Sequence, residues 1–272
     1  MRIALGQLVS SARKEENLEA ARHAIGEARR RGADLLVLPE VFMTFLAPSD
    51  PRTAASVAEP VEGPFVSALV EEARAHSLYV SCGVWETAQG ENTRAFNTVV
   101  LLGPRGDLLL SYRKTHRYDA FGFRESARTI AGTDAPSTVR TPFGTFGLLV
   151  CYELRFPELA RMLALDGADV ILLPAAWVAG PLKEQHWMTL TQARALENTV
   201  FIAAANQTGT ICTGRSLLVD PMGVILADGG EEPGLVVGDL DLARIARVRE
   251  KLPVLAHRRE EIYTRRKAPA PA

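Results

Sequence analysis

The stretch TPFGTFGLLVCYELRFPELARMLALDGADVILLP, Thr141 to Pro174, decides how the rest of the chain is read. A short apolar run, Phe146 to Val150, stops abruptly at Cys151. It is too short for a helix and its residues suit a buried strand. Pro157 then opens a segment in which Leu159, Met162, Leu163 and Leu165 recur at roughly helical spacing. A second apolar run leads to Pro174, so the order is strand, sharp turn, helix, strand. A thiol at that junction is expected to face the unpaired N–H groups of a helix start, which favour the nucleophilic thiolate. A cysteine at a strand end is more often just a small buried apolar residue. A functional reading therefore needs support from elsewhere in the chain.

Working outward, the same order occurs earlier. Arg2 to Gly6 reads as a strand and Lys14 to Arg31 as a helix with Leu18, Ala21, Ile25 and Ala28 on one face. GADLLVLPE then ends a buried strand at Pro39 and Glu40, as GADVILLPA does in the second half. Val41 to Val61 reads as loop, Phe65 to His76 as a helix behind Pro64, and Leu78 to Val84 as a strand. Asn97 to Leu102 and Asp107 to Tyr112 flank the turn Gly103-Pro104-Arg105-Gly106. In the second half a helix over His186 to Glu197 precedes VFIAAANQTG, which answers LYVSCGVWET. SLLVDPMGVILAD answers the two earlier strands, and Arg244 to Leu252 reads as a last amphipathic helix. Each half is thus a βαβαββ-like unit with one helical layer. Two such units bury their bare sheet faces against each other, which predicts an α/β fold: a four-layer α-β-β-α sandwich of two pseudo-symmetric halves. Residues 1–263 are expected to form one domain, with the Pro/Ala-rich residues 264–272 as a mobile tail or an arm on a partner subunit.

Composition narrows the class of function. The 31 Lys and Arg balance 32 Asp and Glu, which argues against a nucleic-acid or anionic-membrane surface. The cysteines Cys82, Cys151 and Cys212 are odd in number and far apart, so they predict no disulfide framework and suit a reducing cytoplasm. No apolar run approaches the roughly 20 residues of a membrane span. The five histidines show no metal-ligand spacing.

Glu40 follows one buried strand directly, Cys151 follows another, and Lys114 in SYRKTH lies just past a third. Strand exits are where open α/β sheets bind ligands. Taken singly, Glu40 reads as a solvated carboxylate and Lys114 as a surface ammonium. Together they are the residue types amide hydrolysis requires: a thiol to attack the carbonyl, a carboxylate to move protons, an ammonium for the oxyanion.

In their LPE, YRK and CYELRFPE contexts, Glu40, Lys114 and Cys151 resemble the catalytic set of the nitrilase superfamily of carbon–nitrogen hydrolases. The resemblance runs from MRIALGQ to LPVLAHRREEIY and implies the same sandwich, with chains paired as homodimers or larger homo-oligomers. It implies Cys151 as nucleophile, Glu40 as general base, and Lys114 with the backbone N–H of Tyr152 as oxyanion hole. A second family glutamate, between lysine and cysteine, matches Glu125 best; Glu153 and Glu158 already have a structural reason to sit in a first helical turn. No metal or organic cofactor is implied. The substrate implied is a small aliphatic amide, with the ω-amidase and deaminated glutathione amidase branch nearest and 2-oxo acid monoamides first. A nitrilase or an N-carbamoyl hydrolase is the alternative enzyme, and an inactive or redox-sensing thiol scaffold the alternative class. A Cys-His-Glu glutaminase would need a histidine paired with Cys151, for which His257 in HRRE is a weak candidate. Arg155, a cation opposing a helix start, is read either as a partner for a substrate carboxylate or as an internal salt bridge to Glu153 or Glu158. Trp177 is read as pocket wall or ordinary core. His116, His186 and Trp187 are read as wall supports. The segments THRYDAFGFR and GPLKEQHW depart from the branch pattern and are expected to border the pocket.

Overall fold

A computed structural model describes residues 1–263; the predicted tail, 264–272, lies outside the described residues. The first sheet contains β1 (Arg2–Gln7), β2 (Leu35–Val37), β3 (Tyr79–Glu86), β4 (Ala95–Leu102), β5 (Leu108–Arg113) and the short β6 (Thr129–Ile130). The second contains β7 (Thr138–Thr141), β8 (Gly144–Leu148), β9 (Val170–Ala175), β10 (Phe201–Asn206), β11 (Leu217–Val219) and β12 (Ile225–Asp228). A final strand, β13 (Gly234–Asp239), returns to the first sheet.

Strand order makes the duplication explicit. The first sheet runs β13-β1-β2-β3-β4-β5, with β6 on β4, and the second runs β7-β8-β9-β10-β11-β12. In each, two parallel pairings are followed by two antiparallel ones, and an antiparallel strand closes the near edge. The aspartates of the two GAD motifs do the same job. Arg2 N–H donates to Asp34 Oδ2 at 2.7 Å, and Thr145 N–H donates to Asp169 Oδ2 at 2.9 Å. Each fastens the start of its own half's first strand to the next.

Burial follows the period-2 alternation of strands. Ile3, Leu5, Leu35, Val37, Val99 and Leu101 face the second sheet in one core with Phe146, Leu148 and Val170. Their neighbours Ala4, Leu36, Val100 and Leu102 face outward beneath α1 (Lys14–Arg30) and α3 (Pro64–His76), which flank the one-turn α2 (Ala54–Val57). On the far side α4 (Pro157–Leu165) and α5 (Lys183–Asn198) cover the second sheet through Leu159, Leu163, Trp187 and Ala195. The result is the α-β-β-α sandwich. Two shorter helices, α6 (Ala243–Lys251) and α7 (Glu260–Tyr263), close the described chain.

Several elements differ from the sequence reading: α2 lies within the expected loop Val41 to Val61, and β6, β7 and α7 are additional. The strand before Cys151 ends at Leu148, although Leu149 N–H still donates to Leu172 O. Helix α5 begins at Lys183 rather than His186, because Lys183, Glu184 and Gln185 are all good helix formers behind a left-handed Leu182. The strand β13 was not expected: GLVVGD is short, and only its pairing with β1 makes it a strand.

Candidate active site

Glu40 leaves β2 through a tight turn in which Val41 has φ +44°. That turn presses on β3 at Gly83, where a Cβ would meet Val41 N at 2.4 Å and Glu40 Cα at 2.6 Å. Only glycine allows the approach. The main chain is pinned further by Gly83 N–H to Pro39 O at 3.0 Å and by Gln207 Nε2 to Glu40 O at 2.8 Å. The Glu40 carboxylate, 4% exposed, then accepts from Lys114 Nζ at 2.7 Å, Asn97 Nδ2 at 2.7 Å and Ala176 N–H at 2.8 Å. The last donor lies just past β9, so this side chain joins the two halves.

Lys114 follows β5 and is 2% exposed. Its ammonium sits between Glu40 and Glu125, donating to Glu125 Oε2 at 2.8 Å and Oε1 at 3.0 Å. Burial alone would strip its proton, but the Glu125 and Glu40 carboxylates more than offset this and hold its pKa well above the ordinary value. Burial likewise opposes the Glu40 charge, and Lys114 outweighs it, leaving that carboxyl below its ordinary value. Glu125, on a 3₁₀ turn (Glu125–Ala127), is oriented by Tyr118 N–H at 2.5 Å and Asn97 Nδ2 at 3.1 Å. One asparagine amide therefore touches both carboxylates.

Cys151 corrects an expectation. It has φ +45°, a region costly for any residue with a side chain, and opens a 3₁₀ turn, Cys151–Arg155; the α-helix waits until Pro157. No helix start makes a thiolate here. Burial pushes the Cys151 thiol well above its ordinary pKa and the neighbouring Glu40 carboxylate pushes it further, against a smaller opposing pull from Lys114. These directions favour a neutral thiol beside a charged carboxylate.

What holds this turn is Glu153, fully buried and read from sequence only as a first-turn carboxylate. Its Oε2 accepts from Val150 N–H at 3.0 Å. Its Oε1 accepts from Tyr112 Oη, Thr115 N–H and Thr115 Oγ1, each at 2.8 Å. Glu153 is thus unavailable to Arg155, and Glu158 is exposed; among the described residues Arg155 forms a salt bridge with neither. Its guanidinium lies 4.7 Å from the centre of the Trp177 ring, with Nη2 3.4 Å from His186 Nδ1.

Trp177 serves as both wall and core. It is 3% exposed, donates from Nε1 to Lys183 O at 2.9 Å, and packs on Trp187 at 5.3 Å. His116 stacks on Phe156 at 3.9 Å. A recess at Cys151 is lined by Tyr118, Tyr152, Trp177 and Lys183. It adjoins a cavity of about 490 Å³ whose lining includes Glu40, Lys114, Glu125 and Cys151 together with Trp85 and Phe121. No histidine lines either space, so the Cys-His-Glu arrangement does not form. Among the described residues no group of three or more His, Cys, Asp or Glu side chains is placed to hold a metal ion. The roles of Asn97, Gln207 and Gly83 went unread in the sequence, since no local pattern marks them.

An ammonium held between two carboxylates beside a buried thiol brings together the group types that proton transfer and nucleophilic attack require. Residues 2–250 match the family described as carbon-nitrogen hydrolase. The chain belongs to this family. It is 38% identical over 261 residues to the deaminated glutathione amidase of Escherichia coli O157:H7, covering 95% of this chain and 97% of that one. Among solved structures it is similar to the C. elegans NitFhit protein, with a TM-score of 0.89 and 31% identity over 97% of this chain; it spans 66% of that longer chain. A glutamate-to-glutamine mutant of the amidase from Nesterenkonia sp. AN1 carries the acetamide moiety of fluoroacetamide covalently on its active-site cysteine. That amidase gives a TM-score of 0.82 and 30% identity, covering 97% of this chain and 95% of the other.

Proposed function

We propose that this carbon-nitrogen hydrolase converts a small aliphatic amide to a carboxylic acid and ammonia, with 2-oxo acid monoamides the first substrates to test. The observation that carries the reading is the Lys114 ammonium held between Glu40 and Glu125 in the same cavity as Cys151. Cys151 Sγ attacks the amide carbon while its proton passes to Glu40. Lys114 donates to one Glu40 oxygen and to both Glu125 oxygens; with one N–H shared between the two Glu125 oxygens, its third donor serves the developing oxyanion. The Tyr152 N–H is the second oxyanion donor. The protonated Glu40 gives its proton to the leaving nitrogen, so ammonia departs and a thioester remains. Water deprotonated by Glu40 then adds to the thioester carbon, and the sulfur leaves with that proton. Glu125 touches only Lys114 and its supports, so it is a positioning residue.

Deaminated glutathione amidases and the acetamide-bearing amidase support an amide over a nitrile or a ureido acid. A redox-sensing thiol is disfavoured on physical grounds, since sensors need an exposed cysteine of low pKa and Cys151 is buried with its pKa raised. Exposed Met162 and Leu165 on α4, with Leu196 on α5, support pairing with a second copy through these helices. Among the described residues no helix is long and apolar enough to cross a membrane, and the three buried free cysteines suit the cytoplasm.

The test is ammonia release from short amides, nitriles and ureido acids, with acyl adducts read by mass spectrometry. An adduct on Cys151 that disappears in Cys151→Ala is the expected result. Full activity in Cys151→Ala would overturn the mechanism.

A further inference from the structure

The cavity of about 490 Å³ beside Cys151 is larger than the reaction needs. Pockets of roughly 300–1,000 Å³ hold drug-sized ligands, and a short-chain amide fills only a small part of one. The polar groups along its lining already have partners. Glu40, Asn97, Lys114 and Glu125 form one cluster, in which each carboxylate accepts from the asparagine amide and from the ammonium. Arg128 commits Nη1 to Leu46 O and Ala47 O at 2.8 and 2.9 Å, and Nη2 to Pro48 O and Asp50 O, both at 3.1 Å. Tyr118 Oη accepts from Lys183 Nζ at 2.9 Å, and Arg124 is exposed to water. Much of the remaining wall is apolar, with Phe45, Leu46, Pro48, Trp85, Phe123 and Ile211 on it. Phe121 stands at the mouth, lining the cavity while 69% exposed. Its φ of +53° is disfavoured for a residue with a side chain, and Gly122 follows at +83°. The base of this loop is fastened to the site: Tyr118 N–H donates to Glu125 Oε2 at 2.5 Å, and Glu125 N–H donates to Tyr118 O at 3.1 Å.

We infer that this chamber binds an apolar acyl chain, with Phe121 as the specificity residue that covers it. The inference rests on the amidase reading and deepens it: ammonia leaves unsubstituted, so the part of the substrate that fills the chamber is the acyl side. The preferred substrates are primary amides whose acyl chain ends in an alkyl or aryl group, longer and less polar than a 2-oxo acid monoamide. A polar chain end gives up its water and finds no free partner along that wall, whereas an apolar end gains by leaving water. Selection therefore comes from desolvation, and the exposed Phe121 ring loses its own contact with water when such a chain lies beneath it.

The experiment measures kcat/KM for ammonia release from acetamide, butyramide, hexanamide and 4-phenylbutyramide. The value should rise about threefold or more per added methylene from acetamide to hexanamide, near the transfer value of a buried CH₂. Phe121→Ala should flatten that rise, lowering hexanamide and 4-phenylbutyramide by about fivefold or more while acetamide stays within about twofold. Phe121→Leu should restore most of the rise. The ring is exposed, so its replacement leaves the core intact. A rise unchanged in Phe121→Ala would mean that the ring takes no part, and would overturn the assignment. Faster amine release from N-butylacetamide than ammonia release from hexanamide would put the apolar group on the nitrogen side, and overturns it too. A wild type that hydrolyses 2-oxo acid monoamides but gains nothing from acetamide to hexanamide sinks the chamber assignment and leaves amide hydrolysis standing. Release of ammonia from none of these amides sinks both.

Discussion

Glu153 accepts from the backbone N–H of Thr115 at 2.8 Å, which ties the residue after Lys114 to the turn that carries Cys151. The same carboxylate holds Val150 N–H, so the ammonium and the sulfur are positioned through one side chain. Replacing Glu153 by Gln turns an acceptor-only group into one that must present an NH₂ to donors. The expected cost is about 1–3 kcal/mol of stability, with kcat falling more than KM rises. Denaturant titration together with steady-state kinetics checks both; an unchanged kcat would show that the turn holds without it.

Lys114→Met leaves Glu40 and Glu125 buried near each other with no cation between them. Loss should reach about 3–5 kcal/mol, as for other broken buried pairs. The sign with pH follows directly. Without the ammonium, burial dominates at Glu40 and lifts its carboxyl above the unfolded value, so its protonated form favours the folded state. The stability gap to wild type is therefore widest near neutrality and narrows as pH falls through that raised value. Unfolding curves across acid pH measure it, and a gap that widens on acidification contradicts the arrangement.

Glu40 is held below its ordinary 4.5 and Cys151 above its ordinary 9.0, while catalysis needs a carboxylate and a thiol. As pH falls, activity is lost only when Glu40 takes up a proton, below its ordinary value. As pH rises, the thiol persists beyond its own. With a neutral amide, kcat/KM should be flat from about pH 5 to pH 9. A limb near neutrality would instead indicate a preformed thiolate.

Gly83→Ala puts a methyl group 2.4 Å from Val41 N and 2.6 Å from Glu40 Cα, both backbone atoms that cannot rotate away. The turn must shift, costing about 1–3 kcal/mol and moving the base off the sulfur. Thermal denaturation and kcat together test this, and an alanine variant with wild-type kcat would show the turn to be compliant.

Much of this architecture is legible in the sequence because it is local and repeated. The GAD motifs mark the same junction twice, and the structure gives Asp34 and Asp169 the same hydrogen bond. Glu40, Lys114, Glu125 and Cys151 could be read because each stands at a strand exit or in a family context. Residues that act through distant partners could not. Glu153 works across 38 positions to Thr115, and Gln207 across 167 to Glu40. Arg155 showed its charge opposing a helix start, yet the surroundings that leave it without a carboxylate come from the neighbourhood of Trp177 and His186. The left-handed backbone of Cys151, which displaces the helix start, leaves no trace in composition.

The doubling of the framework was not a doubling of the chemistry. Where GADLLVLPE ends in Glu40, the matching position of GADVILLPA is Ala175, buried within β9 and carrying no proton acceptor. One lobe supplies acid–base groups, the other supplies sulfur, and the mirror-image seam is blank. Titration with an acylating amide should accordingly saturate at one equivalent per polypeptide.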